Sequence, residues 1–165
     1  MWACTENPSL PLFDCGCAGA GDVAARESSV AQRAAAIGPI TSPAAAYWLL
    51  EPLVAGSPME LAHVTLLDGR CVWQRTRLIA RGNRASVLVP LPRVLREAFA
   101  SSCRYVILTH NHPSGWAWPS DADGELTDSL DRACFDAGLV LLDHVILARG
   151  EFFSFREGTL WTIRS

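Results

Sequence analysis

Apolar residues recur along the chain with two different periods, and these periods predict helices and strands. Stretches with helical spacing or many alanines, bounded by Ser, Gly or Pro, predict four helices. The predicted helices cover residues 22–37, 42–51, 92–100 and 120–137. The second of them is ended by Gly56. Short β-branched and apolar stretches predict six strands. The predicted strands cover residues 59–67, 71–79, 87–89, 104–110, 139–147 and 151–155.

The order of these elements indicates a single α/β domain with a mixed sheet. The chain has 165 residues and 50% apolar content, which is enough to bury a core of ordinary size. We predict that residues 1–38 form an N-terminal region, an irregular tail followed by the Ala-rich helix, and that residues 39–165 form the domain. We expect residues 1–38 to be dispensable for folding of the domain; the competing interpretation is that the helix packs on the sheet through Val23, Val30 and the following alanines.

Composition narrows the class of protein. The net charge of −3 and the pI near 5.8 give no general attraction to a polyanion. The start of the chain lacks a signal-peptide pattern, and no apolar run is long enough to span a membrane, so we expect a cytoplasmic protein. The cysteines have no disulfide-framework spacing and are expected to be free thiols, although the first three could together hold a metal. They are residues 4, 15, 17, 71, 103 and 134.

Two histidines follow at the end of the strand predicted at 104–110. Side chains two residues apart on a strand point the same way, so His110 and His112 would face one point. Pro113-Ser114-Gly115 then breaks the strand. Two imidazoles held in this way are half of a tetrahedral metal site, although two histidines near a turn are often only hydrogen-bonded loop residues.

Ser120 and Asp123 begin the next predicted helix, and two roles are open for them. Ser-x-x-Asp is typical of a capping box, with the acid in the first helical turn. Asp123 can also be the third ligand of a metal held by His110 and His112. Three protein ligands leave the fourth position of zinc for water, which is the arrangement of a catalytic zinc site.

These residues resemble the pattern of the JAMM (MPN-type) zinc metalloproteases, and specifically of their RadC-like branch. That pattern is an upstream Glu, then His-x-His, seven residues, Ser, two residues and Asp. Glu60 and the segment from His110 to Asp123 match it. The branch is further marked by His-Asn-His-Pro-Ser-Gly at 110–115, by Leu142-Asp143-His144 and by Ser154-Phe155. The resemblance implies a mixed, curved sheet flanked by helices, of the cytidine-deaminase-like type.

The similarity runs from about residue 41 to residue 161, with departures. Trp116-Ala117-Trp118 stands where family members carry an acidic residue and Pro, so the rim of the cleft is expected to differ. Leu91-Pro92-Arg93 is a reduced form of a Pro-Arg-Glu signature. Longer members also carry an N-terminal helix-hairpin-helix region, for which this chain has room for only a remnant.

The resemblance gives each motif residue a role. His110, His112 and Asp123 would bind one zinc ion per chain. Glu60 would be the general base towards a zinc-activated water, and Ser120 would help to stabilise the oxyanion. The implied protein is a zinc metalloprotease that cleaves peptide or isopeptide bonds in an undefined peptide or protein substrate. The strand period alone explains Glu60 equally well as a solvated strand end.

The remaining candidates are open to structural explanations. We interpret His63 and His144 as structural, because a single histidine on a sheet is usually a satisfied core or surface residue. Trp116 and Trp118 would form either an aromatic wall for an extended substrate or a loop clamped to the domain by two indoles.

Two other functions remain open from the sequence. One is a nucleic-acid-associated DNA repair module, because four arginines lie in one hairpin region; they are Arg75, Arg77, Arg81 and Arg84. Such arginines are more often a solvated edge that blocks aggregation, and the net charge does not support nucleic-acid binding. The other is an inactive metal-binding scaffold, against which the presence of Glu60 and Ser120 argues.

Overall fold

The computed structural model describes residues 23–163, with side chains from residue 29 onward. It contains helices α1 (Val23–Ile37), α2 (Pro43–Val54), α3 (Leu91–Phe99) and α4 (Asp121–Asp136). The strands are β1 (Leu61–Leu67), β2 (Trp73–Arg81), β3 (Tyr105–Asn111), β4 (Val140–Ala148), β5 (Glu151–Ser154) and β6 (Thr159–Thr162). The predicted tail at residues 1–21 and the metal hypothesis for its three cysteines fall outside the described residues.

The six strands form one sheet in the order β2-β1-β3-β4-β5-β6. The β3–β4 pair is parallel, and every other neighbouring pair is antiparallel. Helix α4 is the crossover between the two parallel strands, as a parallel connection requires. The prediction of a single α/β domain with a mixed sheet and flanking helices is therefore confirmed.

Helices cover both faces of the sheet, so the core has two layers. On one face α1 and α2 pack over a cluster that includes Leu50 and Phe152. On the other face α3 and α4 bury Val94 and Leu130 against the strands. β1 and β3 lie in the middle of the sheet, and nearly every residue in them is buried. The residues at the end of β3 are therefore held in the buried interior of the sheet.

Helix α1 belongs to this core. Val30 is fully buried and Ala34 is nearly so, and both join the cluster beneath α2. The structure favours the second of the two alternatives for this helix, packing on the domain, because removal of these side chains would expose the apolar surface beneath them. The boundary between residues 38 and 39 stays a prediction.

Two predictions of secondary structure are wrong. Residues 87–89 are not a strand but part of the loop between β2 and α3. Their apolar side chains suggested a strand, yet Val87 and Val89 reach the core from an irregular backbone. The sequence also gave no sign of β6, whose four residues are all exposed and therefore lack the alternation of a half-buried strand.

Within the described part of the chain, no helix combines the length and the apolar character that crossing a membrane requires.

Candidate metal centre

Three predicted ligands meet where β3 ends and α4 begins. His110 is the second-last residue of the buried strand β3, and His112 directly follows the strand. Asp123 lies in the first turn of α4. His110 Nε2 is 3.0 Å from His112 Nε2 and 3.1 Å from Asp123 Oδ1. His112 Nε2 is 3.5 Å from Asp123 Oδ2. One ligand atom from each residue can therefore point at a common centre.

These separations fit a tetrahedral metal site. Zinc bonds of about 2.0–2.1 Å at tetrahedral angles place two ligand atoms about 3.3–3.4 Å apart. The three observed distances of 3.0, 3.1 and 3.5 Å lie around that value. Two imidazoles and one carboxylate are also a donor set that suits zinc better than magnesium or calcium. The group His110, His112 and Asp123 could thus hold a metal ion.

Hydrogen bonds fix the orientation of two of these side chains. The Nδ1 of His112 is 2.9 Å from the Trp116 carbonyl oxygen, which can only accept, so Nδ1 carries the proton. The Nε2 of a neutral His112 is then a bare acceptor that faces the site. Asp123 Oδ2 accepts from the backbone N–H of Ser120 at 2.8 Å and from its hydroxyl at 2.6 Å. The capping box is therefore formed around the same carboxylate that faces the histidines.

The charges of the site favour a cation. Burial raises the pKa of Asp123, but its contacts with His110 and His112 outweigh burial and hold that pKa well below its usual range. Burial lowers the pKa of His112, yet hydrogen bonds to Asp123 and to the Trp116 carbonyl, with the Glu60 charge, leave it raised overall. Both shifts mean that positive charge is stabilised at this point.

Glu60 lies next to this cluster and is only 6% exposed, so it is not a solvated strand end. Burial raises the pKa of its carboxyl; the nearby histidines His110 and His112 lower it in part, and Asp123 raises it. The side chain of Asn111, the middle residue of His-Asn-His, fixes the backbone on both sides of Glu60. It accepts from the Leu61 N–H at 2.8 Å and donates to the Met59 carbonyl at 3.1 Å.

The loop after β2 holds the backbone of Glu60 itself. The Glu60 N–H donates to the Asn83 carbonyl, and the Gly82 N–H donates to the Glu60 carbonyl, each at 2.8 Å. Gly82 allows the loop to fold closely on itself, since a Cβ there would lie 2.0 Å from the Ser86 carbonyl oxygen. The position of Glu60 therefore depends on Asn111 and on this loop, and sequence analysis identified neither.

His144 is a buried, hydrogen-bonded histidine, as expected of a structural residue, and it also contacts a candidate ligand. It is fully buried, and its Nε2 lies 2.9 Å from Nδ1 of His110. Its Nδ1 lies 2.6 Å from the Thr127 hydroxyl, and the Phe155 ring stacks on it at 4.8 Å. His144 is therefore not an isolated core histidine, because it touches a candidate ligand directly. His63 is also buried, but its side chain points to the opposite face of β1 from Ala62 and Val64, which pack beneath α3 and α4.

The remaining RadC-like signature residues contact one another. Asp143 points to the opposite face of β4 from His144, where the Ser154 hydroxyl donates to its Oδ2 at 2.6 Å. The Arg156 N–H donates to its Oδ1 at 3.0 Å. The two signature pairs thus meet on both faces of the sheet: Ser154 bonds to Asp143 on one face, and Phe155 stacks on His144 on the other.

The two tryptophans between the ligands are not buried clamps. Trp116 is 72% exposed and Trp118 is 65% exposed. The Trp118 ring nevertheless packs edge to face on Phe153, with the ring centroids 5.6 Å apart. Ala117 between them is fully buried and anchors the loop. Both indoles are therefore largely exposed on a loop that contacts His112 through the Trp116 carbonyl.

The arginine-rich hairpin has a different character. β2 is an edge strand, and Arg75 and Arg77 both reach Glu97 of α3, at 3.8 and 4.0 Å. Arg93 donates to the carbonyls of Leu78 and Ile79, which belong to the same edge. Two of the four hairpin arginines, Arg75 and Arg77, therefore pair with an acid of α3, and Arg93 covers backbone carbonyls of the edge strand.

Comparison with known proteins identifies the family of this chain. A family model described as the RadC-like JAB domain matches residues 40–160. A UPF0758 protein of Symbiobacterium thermophilum is 35% identical over 123 residues, which are 74% of this chain and 53% of that protein. The chain thus spans about half the length of this curated relative.

Proposed function

This chain belongs to the RadC-like JAB domain family, and on that premise we propose that it is a zinc-dependent hydrolase of peptide or isopeptide bonds. The observation that carries the proposal is the convergence of three acceptor groups, from His110, His112 and Asp123, at distances of 3.0–3.5 Å. With both imidazoles neutral and Nε2 unprotonated, a cation between the three groups would be bound by all of them at once. A zinc ion there would polarise a water molecule and lower its pKa to about 7.

Glu60 is the general base in this proposal. Its carboxylate is buried beside the three ligands, and burial moves its pKa upward, towards the range in which a base works at neutral pH. It would take a proton from the attacking water and deliver it to the leaving amine. The double hydrogen bond from Asn111 to the neighbouring backbone keeps this carboxylate in place.

Ser120 would help to stabilise the oxyanion. Its hydroxyl donates to Asp123 Oδ2, and its backbone N–H donates to the same oxygen. The backbone bond would keep Asp123 oriented while the hydroxyl turns towards an oxygen that gains charge. A donor of this kind typically contributes a few kcal/mol to the transition state.

The exposed indoles of Trp116 and Trp118 are the proposed contact for the substrate. A large apolar side chain that stays exposed on a fixed loop is available for binding rather than for folding. Their place beside the ligands suits a substrate with an apolar side chain near the bond to be cleaved.

A peptide-library cleavage assay with zinc analysis tests the proposal. The protein as purified should cleave, lose activity to a chelator and regain it when zinc is returned. Cleavage that survives complete zinc removal would contradict the proposal. Tight zinc binding without cleavage of peptides or of ubiquitin-like isopeptide conjugates would favour the inactive scaffold instead.

A further inference from the structure

A chain of three hydrogen bonds connects the backbone of Asp123 to the ring of His110. The Thr127 hydroxyl lies 2.6 Å from the Asp123 carbonyl oxygen and 2.6 Å from Nδ1 of His144. Nε2 of His144 in turn lies 2.9 Å from Nδ1 of His110. The chain starts and ends on candidate ligands, and it joins α4, β4 and β3.

The chemistry of the groups gives each bond a direction. The Asp123 carbonyl can only accept, so the single hydroxyl proton of Thr127 goes to it. Thr127 Oγ1 must then accept from Nδ1–H of His144. A neutral imidazole has one N–H, so Nε2 of His144 is an acceptor, and it receives Nδ1–H of His110. His110 is thereby left with a bare Nε2, the atom that faces His112 and Asp123.

We propose that His144 is a positioning residue that fixes the tautomer and the ring orientation of His110, with Thr127 as its anchor. The inference rests on the proposed role of His110 as a metal ligand. Without an acceptor at Nδ1, His110 could carry its proton on Nε2 and present a hydrogen to the metal position. Phe155 stacks on the His144 ring with an interplanar angle of 5° and restricts its rotation.

The two candidate histidine ligands are thus oriented by different means. For His112 the acceptor is the Trp116 backbone carbonyl, which any residue at that position would supply. For His110 it is a side chain 34 residues away in sequence. Only the second arrangement can be removed by a single substitution outside the ligand set, which makes it testable.

Thr127→Val is the most direct variant, because it removes the anchor of His144 while keeping the shape of the side chain. Thr109→Val is its matched control. The Thr109 hydroxyl is buried on β3 with no hydrogen-bond partner in the described part of the chain, and its side chain points away from His110. We expect Thr127→Val to weaken zinc binding about 10–100-fold, and Thr109→Val to leave it unchanged. Titration with zinc ions against a chromophoric chelator measures both.

Nitrogen-15 NMR of the histidine rings in the metal-free protein is the readout that a merely structural role would not move. With the histidines neutral, His110 should carry its proton on Nδ1 in the parent chain and in Thr109→Val. It should shift towards Nε2 in Thr127→Val and in His144→Leu. His144→Gln restores an acceptor for His110, so it should retain more zinc affinity than His144→Leu.

Two results would overturn the inference: a metal-free parent protein in which His110 carries its proton on Nε2, or a folded Thr127→Val protein with the zinc affinity of Thr109→Val. A parent protein that binds no zinc at all would instead remove the proposed function. The tautomer of His110 in the metal-free protein is measured independently of that result, so the two failures are distinguishable.

Discussion

The end of β3 and the basic edge strand β2 are two regions of this protein that could act on another molecule, and they are built differently. At the end of β3, side chains from β3, from the residue that follows it and from α4 converge within 3.0–3.5 Å and are held by further hydrogen bonds. Along β2, the arginines are spread over a strand, and Arg75 and Arg77 are occupied by Glu97. A candidate binding site is therefore indicated by the oriented groups at the end of β3, and not by the larger number of charged residues along β2.

The two regions are nevertheless connected. The loop that follows β2 holds the backbone of Glu60 through Gly82 and Asn83. This loop therefore holds the backbone of Glu60, the neighbour of the candidate ligands, through backbone hydrogen bonds rather than through the arginines of β2. We therefore expect different effects from substitutions in the candidate site, in the loop that holds the Glu60 backbone and on the exposed surface.

The largest effect is expected for Glu60→Gln, which lies in the site. An amide cannot accept the proton, so hydrolysis should fall about 10²–10⁴-fold while zinc stays bound. Turnover and zinc content are measured on the same preparation. Glu97→Gln, which removes a carboxylate that pairs with β2, is the control and should keep full activity. Unchanged turnover in Glu60→Gln would remove Glu60 from the mechanism, and loss of zinc would make it a ligand.

An intermediate effect is expected for Gly82→Ala, which lies in the loop that holds the Glu60 backbone. The new Cβ would meet the Ser86 carbonyl oxygen at 2.0 Å, so the loop must move and release the Glu60 backbone. We expect the free energy of unfolding to fall by about 1–3 kcal/mol, with a partial loss of hydrolysis. Gly69→Ala at the other end of the hairpin meets nothing within 4 Å and is the control. Equal stability and activity of the two variants would show that the loop does not position Glu60.

The smallest effect is expected for the double substitution Arg81→Ala and Arg84→Ala, whose side chains are exposed at the end of β2 and in the following loop and take no part in the backbone bonds to Glu60. Zinc content and hydrolysis should not change, and DNA binding of the parent chain should be weak. A steep fall of DNA affinity with salt in the parent, reduced in the double variant, would instead support the nucleic-acid function.

The sequence predicted the elements that carry strong periodicity, and its His-x-His and Ser-x-x-Asp spacing indicated the three residues that converge. The capping residue Ser120, the strand before His110 and the mixed sheet all follow from local patterns. The role of His144 did not, because its contact with His110 depends on the register of two parallel strands. That register shifts between Val106 and Ile107, which no local pattern reveals.

The support of Glu60 was hidden for a related reason. Asn111 acts through the backbone of residues about 50 positions away, and such a contact leaves no mark on spacing or composition. The apolar valines of the loop at 82–90 predict a short strand from the sequence alone, although they pack without a strand backbone. Local chemistry was therefore visible in the sequence, whereas the contacts that orient it required the fold.

Zinc content of the purified chain and of His112→Ala tests the central claim most directly. The convergent acceptors of His110, His112 and Asp123 predict about one zinc per chain in the parent protein. Removal of one of these ligands from the buried site should abolish zinc binding while the fold, followed by circular dichroism, is retained. Full zinc occupancy in His112→Ala, or a parent protein that remains metal-free after incubation with zinc, would contradict the account.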